Sequence, residues 1–561
     1  MLLPGVLAAC CVVTAYVIDA LGGPIHPWLI AAVLIVELLL LGLWLWRRGW
    51  HITVELDGSG LLGLAVVAIG LLSLLLWLAR SSGLPPTQSS DLVHHLSLID
   101  FIQQRQMLPR EPALAPYLGE MVMYPSGAHV LAALLAGWLG TSGLWIVFPM
   151  IMAALIVKAG SVYNIALRVA PARQAHTPAL AVAGAALLLL AWNYFMIPLT
   201  WHFFLAQISA ETLVIIMLWA IVRFDAEPAP LWLACFGLCG MAVALTWTVW
   251  LPIPLLTMFI VVAVKRTAAL RMKLRWWVIA GAPVFAGVAL YVGGYLGSES
   301  SIFVHEGSAT LPSIEAYSPW LLGLALIGLA VSWRNRRARP VGLMLLVTLL
   351  QAAALFITAL TRFTAFYWVL KVLYISIYPL ALYATLALDA MWTWPAHWRP
   401  AIFSIGWSRA AWLVPLAVMG LAVVTVVPPA PLPSAVSAEA YQAGRWAKAN
   451  LPGDCIDYLS DHWVSAYWLH VAVLGNPRLS PHTEQIVADW NYAQTSRERW
   501  EQTTALPYAI ITDWPHAPAN VKALSAVMYQ AGSAAVVRRV GQAACGYQAL
   551  PIEQFNPQDH R

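Results

Sequence analysis

Asp91-Leu-Val-His94-His95 places one acid and two imidazoles within five residues of a chain that is otherwise mostly hydrocarbon. A carboxylate takes a proton from an attacking hydroxyl, and a neutral imidazole accepts or passes one. A histidine pair also ligates divalent metal ions. Arginine and lysine beside an apolar span usually set its orientation, a task this cluster does not serve. The apolar residues Leu92, Leu96, Ile99, Phe101 and Ile102 recur at the spacing of an amphipathic helix lying on a membrane surface. Residues three and four apart share a helix face, so Asp91, His94 and His95 become neighbours. Asp91 also heads the helix, where a carboxylate caps free amides. Its identity alone therefore does not separate catalysis from capping.

The same polar stretch, residues 80–127, closes on Tyr124-Pro-Ser-Gly-Ala-His129. Pro125 and Gly127 mark a tight entry into the next helix, with His129 in its first turn. Glu120 lies between the two motifs. One patch can therefore gather Asp91, His94, His95, Asp100, Glu120, Tyr124 and His129 as general base, substrate contacts or metal ligands. His94 and His95 are the candidate ligands for a divalent cation. Further along, Arg362 stands before an apolar segment that carries Lys371. A lysine inside such a segment is expensive and functional by default. Glu211 is similarly out of place in its apolar run, near His202 and Gln207.

The elements that hold these groups are membrane helices. Of 561 residues, 61% are hydrophobic and 10% charged, with mean hydropathy +0.73, whereas soluble domains average about 25% charged. The composition predicts an α-helical polytopic membrane protein whose partner is the lipid bilayer. Net charge +5 sits in short basic clusters between spans, not on a nucleic-acid-binding face. Many Trp residues lie near segment ends, as an interfacial aromatic belt requires. Apolar stretches run near 3–22, 28–46, 61–79, 128–140, 144–168, 177–196, 204–223, 230–247, 249–264, 277–296, 319–333, 341–360, 366–392 and 410–428. At about 20 residues per crossing they predict roughly 12–14 spans. The pieces at 128–140 and 249–264 are short for a bilayer core of about 30 Å.

Arg47-Arg48, Lys265–Arg275, Arg334–Arg339 and Arg399–Arg409 are expected on the cytoplasmic side. That puts 80–127 and everything after Pro428 outside. One piece between 128 and 264 must then fail to cross, or two must merge. The chain divides into a membrane portion, 1–428, and an extracytoplasmic portion, 429–561, that follows a Pro-rich linker. A helix over Ala438–Asn450 and strands at Tyr508–Thr512 and Ala534–Arg538 predict a small α/β domain there. Cys455 and Cys545 lie near its two ends, and an oxidising compartment favours a bridge between them.

The pair Asp91-x-x-His94-His95 and Tyr124-Pro-Ser-Gly-Ala-His129, with many spans followed by an exported domain, resembles the GT-C glycosyltransferases, and within them a broad bacterial group of GT-C-like membrane proteins. The motif likeness covers residues 91–129; the layout covers the whole chain. The resemblance implies a bacterial cytoplasmic-membrane enzyme that moves a sugar from a polyprenyl-phosphate donor to a cell-envelope glycan, lipid or protein acceptor. Asp91 would be the base, His94, His95 and His129 would orient substrate or hold a divalent cation, and Arg362 and Lys371 would hold the donor phosphate. Many relatives carry a second acid where this chain has Leu92. The alternatives are a transporter or flippase, which calls for internal repeats and midplane charges, and a ligase for a lipid-linked glycan, which usually places its large loop between late spans.

Overall fold

The computed structural model describes residues 2–47, 58–80, 91–110, 118–170, 174–200, 202–266, 268–293, 317–361, 363–393, 410–428, 436–452, 455–459 and 507–541, with a few single residues between them. The protein is a helical, multi-pass membrane protein. Among the described residues, eight helices are long and apolar enough to cross a bilayer, and six shorter apolar helices accompany them. In chain order the helices are α1 (Leu2–Ala20), α2 (Pro27–Arg47), α3 (Gly58–Leu78), α4 (Asp91–Arg105), α5 (Gly127–Trp138), α6 (Gly143–Val169) and α7 (Thr177–Leu187). Then come α8 (Leu205–Ala226), α9 (Pro230–Ala244), α10 (Pro252–Ala263), α11 (Leu270–Gly293) and α12 (Pro319–Val331). The helical part ends with α13 (Arg339–Leu360), α14 (Phe366–Leu373), α15 (Ile377–Thr393) and α16 (Leu413–Thr425).

Two sets of polar contacts mark the ends of the bundle. At one end, Asn335 Nδ2 donates to the Val169 carbonyl at 2.8 Å and the Arg337 guanidinium to the Ala170 carbonyl at 3.1 Å. His176 meets Asp389 at 3.3 Å, and Lys265 pairs with Asp225 at 2.7 Å. At the other end, Arg110 pairs with Asp19, Gln103 donates to the Thr141 carbonyl at 2.8 Å, and Leu432 N donates to the Leu78 carbonyl at 2.9 Å.

Between hydrocarbon-facing helices there is little hydrophobic drive, so close approach through small residues does much of the packing. Gly328 of α12 shows this. A Cβ there would overlap the backbone carbonyl of Tyr383 in α15, so only glycine lets these helices meet.

The interior helices are broken. α9 and α10 both return to the end that holds Asp225 and Lys265, and their junction at Leu245–Leu251 is buried. Pro252 and Pro254 favour the break, since proline suits a helix's first turn and removes a hydrogen bond from the interior of one. Non-helical backbone at this depth must find internal partners. The Leu245 carbonyl accepts from Gly127 N at 2.8 Å and from the Tyr16 hydroxyl at 3.2 Å. Ser126 N in turn donates to the Tyr16 hydroxyl at 2.8 Å. α5 therefore starts inside the bundle at the tip of the α9–α10 pair. Its 12 residues reach only about 18 Å before a short turn leads into α6. That is less than a bilayer core of about 30 Å.

After α16, helix α17 (Ala438–Asn450) packs on a four-stranded sheet of β1 (Ile456–Leu459), β2 (Tyr508–Ile511), β3 (Ser525–Ala531) and β4 (Ala534–Arg539). The strand order is β1-β2-β4-β3, with β1 and β2 parallel and the rest antiparallel. Ser437 caps α17 by accepting from Ala440 N at 3.1 Å. Glu439 accepts from the Ser533 hydroxyl at 2.6 Å and from Ser533 N at 2.9 Å, contacts that draw its carboxyl below the usual range. Trp446 stacks on Tyr529 at 5.0 Å. Cys455 is disulfide-bonded; its expected partner, Cys545, lies outside the described residues. α17 also touches the helical part, where Tyr441 meets Trp145 edge-on at 5.9 Å.

Candidate functional site

The buried junction of α5, α9 and α10 is also where the chemistry-bearing side chains meet. α4 and α5 lie side by side, and His95 Nδ1 is 2.8 Å from His129 Nε2. His95 is 5% exposed and His129 is fully buried. Tyr124 closes over both rings edge-on, at 5.5 Å from His95 and 5.6 Å from His129. Gly127 makes this possible, because a Cβ there would overlap Thr246 and the Leu245 carbonyl. Burial, then the neighbouring His129, His94 and Lys371, hold the His95 imidazole well below its ordinary pKa. It is therefore neutral at pH 7.

A row of aromatic rings leads from the imidazole pair to a lysine. Tyr124 lies 6.0 Å from Trp247, which lies 6.1 Å from Trp250 and 6.0 Å from Trp368. Lys371, at the end of α14, is 1% exposed. Its ammonium sits 3.3 Å from the Phe204 ring centroid, 4.6 Å from Tyr367, 5.7 Å from Tyr374 and 5.9 Å from Trp247. Ring faces attract such a cation. Lys371 Nζ also donates to Gln207 Oε1 at 2.7 Å, and the Lys371 carbonyl accepts from the Trp250 indole at 2.8 Å. His202 stacks on Phe204 at 4.8 Å, and burial with the Lys371 charge pulls its pKa down to about 4.

Behind Lys371 the network continues inward. Gln207 Nε2 donates to Glu211 Oε1 at 3.3 Å, which fixes the amide between two charged groups. Glu211 Oε2 accepts from Lys158 at 2.5 Å and from the Tyr378 hydroxyl at 2.8 Å. Side-chain exposure of Lys158 and Glu211 is 0% and 1%. Lys158 is thus an interior ion-pair partner, far from the basic clusters at the bundle end.

The structure brings His95, Tyr124 and His129 into contact, links them through Trp247 to Lys371, and sets His202 and Glu211 around Lys371. His94 is half-buried on α4, close enough for its charge to bear on His95. α4 begins at Asp91, and Glu120 falls in a short 3₁₀ turn, Gly119–Met123. The side chains of Asp91 and Glu120, and all of Arg362, lie outside the described residues. Among the described residues, no group of three His, Cys, Asp or Glu side chains gathers closely enough to hold a metal ion. Sequence reasoning missed Phe204, Trp247, Tyr367, Tyr374, Tyr378 and Lys158 as parts of this site. The run Thr246-Trp-Thr-Val-Trp-Leu-Pro252 carried the available signal, since polar residues and prolines there announce a broken helix.

Chemically the site offers a neutral, hydrogen-bonded imidazole pair and a buried ammonium that can stabilise developing negative charge. Comparison with protein-family models and with curated proteins gives no match.

Proposed function

We propose that the protein is a membrane glycosyltransferase of GT-C type, using a polyprenyl-phosphate sugar on the outer face of a bacterial cytoplasmic membrane. The observation that carries this reading is Lys371, a buried cation framed by Phe204, Tyr367, Tyr374 and Trp247 and close enough to bear on His95 and His202. In the proposed reaction, the acceptor oxygen bonds to the anomeric carbon as the bond from that carbon to the phosphate oxygen breaks. The acceptor proton passes to Asp91 or to the His95–His129 pair. Lys371, with Arg362, meets the charge that collects on the leaving polyprenyl phosphate. The acceptor is an envelope glycan, lipid or protein.

The arrangement of the bundle ends supports the sidedness. The basic residues 334–339 gather with Val169 and Ala170 at one end. α4 shares the other end with the sheet domain, as the influence of Lys448 on Asp100 indicates. The divalent-cation role of His94 and His95 belongs to the same proposal, and a chelator that leaves transfer unchanged removes it. The test of the whole is a comparison of envelope glycans in cells carrying wild-type or Asp91→Ala protein. Loss of one glycan is expected; full glycosylation by an inserted, stable Asp91→Ala protein sinks the catalytic assignment.

A transporter or flippase of a lipid-linked glycan is the second reading. It is favoured by the broken helices α9 and α10 and by the interior Lys158–Glu211 pair, both of which transporter sites use.

A further inference from the structure

Glu37 stands at the middle of α2, ten residues from Pro27 and ten from Arg47. At 1.5 Å per residue that is about 15 Å from either end, the midplane of a core of about 30 Å. An ionisable side chain at that depth almost always faces the bundle interior. Glu37 does not: it is exposed, amid the exposed Ile35, Val36, Leu38, Leu39 and Leu40. Among the described residues its hydrogen-bond partner is Thr14 of α1, whose hydroxyl donates to the two carboxylate oxygens at 3.4 and 3.3 Å. One hydroxyl at long range leaves an acidic side chain facing hydrocarbon, an expensive placement.

The geometry points to a docking seam along α1 and α2 for a transmembrane helix of another protein, carrying a lysine or arginine near its own midpoint. Depth and charge choose this occupant. Lipid head groups lie at the interface, about 15 Å away. A basic side chain borne on a helix reaches the midplane with its backbone already satisfied. Among the described residues, a second copy of this chain does not supply the cation, because the lysines away from the ends of its apolar helices, Lys158 and Lys371, are themselves buried at 0% and 1% exposure. Glu37 is exposed, whereas His95, His129 and Lys371 are at most 5% exposed, so a helix docked at Glu37 does not enter the site of the proposed transfer reaction.

The test uses the full-length protein in bicelles and a fluorescent synthetic helix of leucine and alanine with one central lysine. The control helix has leucine at that position. Association of the lysine helix with wild-type protein is expected to be roughly tenfold tighter than that of the control, the scale of a polar contact between membrane helices. Glu37→Gln and Glu37→Leu, which change an exposed side chain, are expected to abolish that preference. Equal binding of the two helices, or a lysine preference that survives in Glu37→Leu, overturns the proposal. Self-association of the protein that Glu37→Gln removes also overturns it, in favour of a second copy.

Discussion

Replacing Glu211 with glutamine removes the carboxylate that the interior is built around. Glu211 accepts from Lys158 at 2.5 Å, Tyr378 at 2.8 Å and Gln207 at 3.3 Å, and both charged partners are at most 1% exposed. An amide keeps the shape and one acceptor but leaves the Lys158 ammonium buried without its counter-charge. Breaking one side of a buried pair costs about 3–5 kcal/mol, and Lys158→Met, which strands the carboxylate instead, carries the same expectation. Removing both charges is different. Losing both charges of a buried pair costs far less than losing one, so the double variant Lys158→Met/Glu211→Gln, whose amide oxygen still accepts from Tyr378, should lie within about 1.5 kcal/mol of wild type. The cycle then gives a coupling of several kcal/mol between residues on α6 and α8, far above the few tenths typical of independent sites. Unfolding of the purified protein in bicelles, titrated with SDS, measures all four species. Single variants that each cost under about 1 kcal/mol, and sum to the double, would refute the claim that this pair is dry and charged.

Asp100 supplies a pH prediction. Burial raises its pKa from 3.8 to about 7, against the opposing charge of Lys448. The folded state keeps a proton that the unfolded chain releases near pH 4, so this group favours folding most at low pH and progressively less as pH rises to about 7. Roughly three units correspond to about 4 kcal/mol at most. Asp100→Asn should flatten the stability difference between pH 4.5 and 8, and an unchanged pH profile of thermal unfolding contradicts it. Gly328→Ala should destabilise by about 1–3 kcal/mol through forced separation of α12 and α15, since the added Cβ meets the Tyr383 backbone; a melting temperature equal to wild type counts against that close approach.

The membrane layout was legible because burial in lipid writes itself into the sequence as long apolar runs. The stretches expected at 144–168, 204–223 and 341–360 coincide with α6, α8 and α13. The short runs at 128–140 and 249–264 likewise became the half-helices α5 and α10. The helix at 438–450 and the strands near 508 and 534 were readable for the same reason: local period and turn residues set them. The site was legible only in its polar members. His95, Tyr124 and His129 stand out by residue type, and Lys371 by its cost. Lys158 does not stand out in the sequence, because its partner Glu211 lies 53 residues away and only packing of α6 on α8 joins them. Phe204, Trp247 and Tyr367 are invisible as site residues, since an aromatic in an apolar run looks the same whether it faces lipid or a cation. The exposure of Glu37 was equally hidden, as periodicity cannot tell a seam from a core when both solvents are apolar.

The most direct test follows the donor itself. Purified protein is placed in liposomes made from a bacterial lipid extract that contains polyprenyl-phosphate sugars, together with the extracted envelope acceptors, and the lipids are followed by mass spectrometry. The account predicts loss of a polyprenyl-phosphate sugar, release of polyprenyl phosphate and appearance of a new glycoside. With Lys371→Met the rate should fall by about 10²-fold or more, the effect of deleting a group that stabilises transition-state charge. Sugar-lipid that remains intact, or that only changes leaflet, contradicts the transfer reaction.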